Sequence, residues 1–124
     1  MRELTFKVDS DVVKTEAEGR HSRDENVLAS GSGVVKVGAV LGKVTASGKF
    51  KPLAPAASDG TQTAAAISLQ YADATAADQT IVTLKRHAQV ALQTLVWPAG
   101  ITDNQKAAAL ASLETLGIVA RNGV

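Results

Sequence analysis

Cysteine is absent from the chain, which excludes disulfides, thiolate catalysis and Cys-ligated zinc and fits assembly in a reducing cytoplasm. Aromatic residues are scarce, 3% of 124 residues against 45% apolar, many of them alanine. In such a core each large buried side chain contributes about 1.5–3 kcal/mol and each alanine less, so association of several copies is a natural source of added stability. An excess of either charge is missing too. Thirteen basic side chains face 12 acidic ones for a net +1, and the basic residues are scattered, leaving no electrostatic footprint for nucleic acid. No apolar run approaches the roughly 20 residues that cross a bilayer, and no signal-peptide pattern opens the chain. Neither nucleic acid nor membrane is an expected partner.

What is present centres on residues 27–50, VLASGSGVVKVGAVLGKVTASGKF. Short runs of branched aliphatics broken by glycine suit the bent strands of a small barrel or sandwich. A helix there would carry several glycines and β-branched residues at a propensity cost. Gly38, Gly42 and Gly48 are read as structural turns. The expected fold is mainly β with one C-terminal α-helix, a compact barrel- or sandwich-like body with an extended N-terminal arm.

The arm is expected over residues 1–26 and the body over 27–124. Leu4, Phe6 and Val8 alternate with Glu3, Thr5 and Lys7, placing three apolar side chains on one face of an extended strand. Residues 9–26, DSDVVKTEAEGRHSRDEN, are mostly polar and read as a tether that buries too little apolar surface to offset its ordering entropy. The alternative is that the first eight residues form an ordinary core strand. Residues 51–60 hold two prolines and Ser-Asp-Gly and read as a loop. Strands are expected at 64–71, with Ile67 and Leu69 on one face, and from Ile81, with a further apolar stretch at 90–96. Trp97-Pro98 closes the extended region and is read as structural core beneath the helix, although a lone tryptophan also suits an interface. Thr102 and Gln105 form a capping-box pattern opening a helix over 103–116, with Ala107, Leu110 and Leu113 on one face. Gly117 then supplies a left-handed cap, and 118–120 a short closing strand.

No catalytic or metal site emerges from the residues, and no cofactor is expected. His21 and His87 each stand without a second ligand at metal spacing. Ser30, Ser32 and Ser47 lie in glycine-rich turns that lack the Lys-Ser/Thr of a phosphate loop.

Two stretches carry a family likeness: Ser22 to Gly31 (SRDENVLASG) followed by Val37 to Val44 (VGAVLGKV), and Leu95 to Ala99 (LVWPA) followed by the Ala-rich helix and Gly117 to Ala120 (GIVA). In that order and spacing the chain resembles the bacteriophage head decoration proteins typified by the lambda phage capsid-stabilising protein D. The N-terminal region here is longer and more charged than in the lambda protein. The resemblance implies a non-enzymatic homotrimer on the outer capsid surface of the virion, bound at local threefold sites of the expanded head. There it would clamp the major capsid protein against internal DNA pressure. It also implies N-terminal segments that order on the capsid, which makes Leu4, Phe6 and Val8 the candidate capsid-binding residues and residues 1–20 the piece to delete. Two readings compete. Gly38-x-Val40-Leu41-Gly42 resembles the turns of biotinyl and lipoyl carrier domains, with Lys43 and Lys49 near turns but neither carrying the flanking residues such a domain needs. A carbohydrate-binding module would have to rely on Trp97, Tyr71, Phe6 and Phe50.

Overall fold

The computed structural model describes residues 12–16 and 22–122. Among them, β1 (Val13–Glu16), β2 (Arg23–Leu28), β3 (Val34–Val35), β4 (Val40–Lys43) and β5 (Phe50–Pro52) come first. They are followed by β6 (Ala64–Ser68), β7 (Ala72–Asp73), β8 (Gln79–Leu84) and β9 (Ala88–Ala91). A 3-10 turn (Leu92–Thr94), the helix α1 (Asp103–Thr115) and β10 (Ile118–Arg121) complete the order. A closed barrel runs β2–β5–β4–β6–β8, a three-stranded sheet runs β1–β9–β10, and β3 pairs with β7. The mainly β architecture with one C-terminal helix is therefore as expected.

Two apolar clusters explain why these short strands hold together. Each of the five barrel strands contributes to the first: Leu28, Leu41, Phe50, Ala66 and Ile81, all at most 1% exposed. The second joins barrel residues Val40, Ile67 and Leu84 to Ala88 and Val90 of β9, Leu113 of α1 and Ile118 of β10. Consecutive residues Val40 and Leu41 thus serve different clusters. With both its faces covered, β4 reads as a continuous apolar run and not an alternating one. Ile67 and Leu69 share the second cluster, as the sequence pattern anticipates.

Several expectations change. The boundary placed at residue 26 falls inside β2, whose six residues pair antiparallel with β8 from Arg23↔Leu84 to Leu28↔Gln79. The stretch read as a tether also holds β1, paired with β9, and Val12, which is fully buried. Charge misled the composition argument because these charges are partnered. Arg23 grips Glu16 through Nε (2.8 Å) and a second nitrogen (2.7 Å), Arg86 holds Asp24 at 2.6 Å, and the Thr83 hydroxyl donates to Asn26 Oδ1 at 2.5 Å.

Pro52, expected in a loop, ends β5 opposite Leu41. The next ladder bond is given by the Leu53 N–H to the Val40 carbonyl (3.0 Å), so proline occupies a position that needs no donor. Gly42 is not a turn. It lies within β4 beside a register shift, and a Cβ there would sit 2.5 Å from Thr61 Cα and from Thr61 O. Gly38 and Gly48 do take the left-handed conformation, at φ 94° and 74°.

The helix starts as its cap predicts. Thr102 Oγ1 accepts the Gln105 N–H (3.1 Å), and Gln105 Oε1 accepts the Thr102 N–H (3.0 Å). It ends at Thr115, one residue short of the expected end, with Leu116 as cap and Gly117 at φ 82°. The buried positions are Ala109 and Leu113, flanked by half-buried Leu110 and Leu116, and Ala107 is exposed. Trp97 and Pro98 are half-buried: Trp97 packs against the second cluster from its margin, where enclosure in the core was expected.

Candidate functional site

The ionisable and hydroxyl side chains that most resemble chemistry in the sequence serve as staples. Asp59 accepts both the O–H (2.5 Å) and the N–H (3.1 Å) of Thr61. Asp73 does the same for Thr75, at 2.5 Å and 3.0 Å. These are side-chain turns that substitute for backbone pairing, and the Thr donors hold both carboxyls below their ordinary value. Asp78 ties two loops, taking the Lys49 ammonium at 2.6 Å and the Ser30 N–H at 2.7 Å, and the Lys49 contact chiefly lowers its pKa. Lys49 is thereby committed to an ion pair, whereas Lys43 is exposed at the end of β4.

The turn serines behave alike. Ser32 donates to the Ala29 carbonyl (2.6 Å), and Ser47 Oγ accepts the Lys49 N–H (3.2 Å). His87 is exposed at φ 52°, its N–H bonded to the Leu116 carbonyl (3.2 Å) and its own carbonyl accepting the Ser22 hydroxyl (2.8 Å). Its described role is to turn β8 into β9. His21 lies outside the described residues. Among the described residues no group of three His, Cys, Asp or Glu side chains converges on a metal position.

Surface features remain as candidates. Val34 (49% exposed) and Tyr71 (64%) flank the β3–β7 pair, and Val34 borders a groove of about 210 Å³ with Val96, Trp97, Pro98 and Pro52. A wider cleft of about 480 Å³ opens between α1 and the start of β6, with Lys85 on its wall. The sheet β1–β9–β10 has β9 at its centre, so among the described residues β1 and β10 each have one neighbour. Leu4, Phe6 and Val8 lie outside the described residues; the chain enters the description at Val12, buried immediately before β1. Sequence reasoning missed Lys85, because nothing local marks a lysine whose ammonium lies 5.0 Å from the centroid of Phe50. Among the described residues no helix is long and apolar enough to cross a membrane.

Comparison with known proteins adds one match. The family model described as bacteriophage lambda head decoration protein D matches residues 5–118, a span that includes Phe6 and Val8 but not Leu4. No curated protein matches the chain.

Proposed function

The chain belongs to the bacteriophage lambda head decoration protein D family, and from that premise we propose that it works as a non-enzymatic homotrimer on the outer surface of the expanded head. In this reading it sits at local threefold sites and clamps neighbouring major capsid subunits against the pressure of packaged DNA. The observation that carries the reading is the family match over 5–118, which spans both the body and most of the N-terminal segment. The body has the mechanical character such a role needs, with a closed barrel locked to a second sheet and helix through shared apolar clusters. Among its acidic side chains, Asp59 and Asp73 close turns and Asp78 is held in an ion pair.

Attachment is assigned to residues 1–11. Leu4, Phe6 and Val8 alternate with polar residues, so the segment can add a strand to an exposed sheet edge while one row of side chains supplies selectivity. Ordering such a segment costs roughly 2–5 kcal/mol, and a single arm binds weakly. Three arms on one rigid particle raise avidity by about 10² to 10⁴ where their spacing matches the lattice. Matching of this kind discriminates an expanded head from an unexpanded one.

The trimer is tested by the native mass of the purified protein. Three times the chain mass at micromolar concentration is the expected result, and a monomer would overturn the trimeric reading.

A further inference from the structure

Lys85 is half-buried where β8 leaves the barrel, lines the α1–β6 cleft, and has its ammonium 5.0 Å from the Phe50 ring centroid. The ring face attracts a cation but carries no net charge to neutralise it. Among the described residues Lys85 makes no ion pair. Asp24, the acidic group that acts on it, is held by Arg86 at 2.6 Å, and Lys43 and Arg86 repel it. Burial, then Lys43, push its pKa below the ordinary lysine value. The local balance is thus a partly desolvated cation with a surplus of positive charge around it.

The cleft walls fit an extended chain. Residues 63–65 form one side and Ala111, Ser112 and Thr115 of α1 the other, so small side chains leave room for a backbone. The Ser112 hydroxyl donates to Ala108 O (3.1 Å) and the Thr115 hydroxyl to Ser112 O (2.6 Å), which leaves their oxygens able to accept. The last carbonyls of α1 are bonded by the Leu116 and Gly117 N–H groups, blunting the negative helix end nearby.

We propose that the cleft between α1 and β6 is a docking site for an acidic, extended segment of the shell protein, with a carboxylate seated on Lys85. The identity of the partner rests on the decoration reading, and the chemistry of the cleft does not.

The test uses the full-length protein labelled with ¹⁵N and two capped peptides, hexaglutamate and hexaglutamine. Hexaglutamate is expected to shift the amides of Ala65, Lys85 and Ser112 saturably, and hexaglutamine to leave them in place. Lys85→Met keeps the stem and removes the charge, and should weaken hexaglutamate binding about tenfold, the scale of one charge-assisted hydrogen bond. No saturable shift, equal response to hexaglutamine, or unchanged affinity in Lys85→Met would overturn the site. A matching thermal midpoint for Lys85→Met and the parent chain shows that the fold is not at issue. On expanded heads, Lys85→Glu should decorate at least tenfold more weakly than the parent, and undiminished decoration would remove the shell protein as occupant. If the parent chain itself fails to bind heads, the decoration reading falls while the peptide titration still judges the cleft.

Discussion

A chain lacking residues 1–11 is expected to fold as the parent does and to lose decoration of expanded heads altogether. The cut belongs at 11, not at 20, for a structural reason. Val12 is fully buried in the cluster that joins the barrel to α1, and Val13–Glu16 pairs with β9. Deleting through 20 would strip a whole sheet strand and withdraw Val12, whose burial alone is worth about 1.5–3 kcal/mol. That version confounds attachment with stability. The shorter deletion removes Leu4, Phe6 and Val8 and no described contact. Its thermal midpoint should match the parent within a few degrees, while sedimentation with heads recovers none of it. Undiminished decoration would move attachment onto the body and refute the arm.

Gly42→Ala should produce a large loss of stability from one added methyl group. The new Cβ would lie 2.5 Å from both Cα and O of Thr61 and 2.8 Å from its carbonyl carbon. Those are backbone atoms on both sides, so no side chain can swing away, and β4 must separate from the turn that carries Thr61. A cost of about 3 kcal/mol or more follows, at the upper end for overpacking. Gly48→Ala provides the control. Its Cβ meets nothing nearer than the end of Lys43 at 3.9 Å, and its φ of 74° is the sole objection. That substitution should cost about 1–2 kcal/mol. Urea unfolding of both variants separates the explanations. Equal losses would mean that the close approach to Thr61 is relieved at little cost and does not account for glycine at 42.

The sequence was most informative where the signals are local. The Thr102/Gln105 cap, the Gly117 stop and the glycine-broken aliphatic runs each depend on neighbours a few positions away, and each appears in the structure. Pairings between distant residues were invisible. Residues 23–26 look like tether because their polar groups are satisfied far along the chain: Asp24 pairs with Arg86 and Asn26 accepts from the Thr83 hydroxyl, 62 and 57 residues away. The barrel order β2–β5–β4–β6–β8 and the parallel docking of β10 on β9 are likewise set by which faces bury together. Periodicity shows only that some face is buried. Trp97 illustrates the same limit, since its size argues for burial while its place at the rim of a groove leaves it half-covered. The alternation of Leu4, Phe6 and Val8 lies outside the described residues, and the Lys85 cleft was not legible in the sequence, because it exists only once α1 lies across β6.

The most direct test of the account is the binding isotherm of the full chain on undecorated heads, measured in parallel on expanded and unexpanded particles. Saturation at three chains per local threefold site, on expanded heads alone, is the predicted result. Equal binding to both forms, saturation at one chain per site, or no binding to either would contradict it.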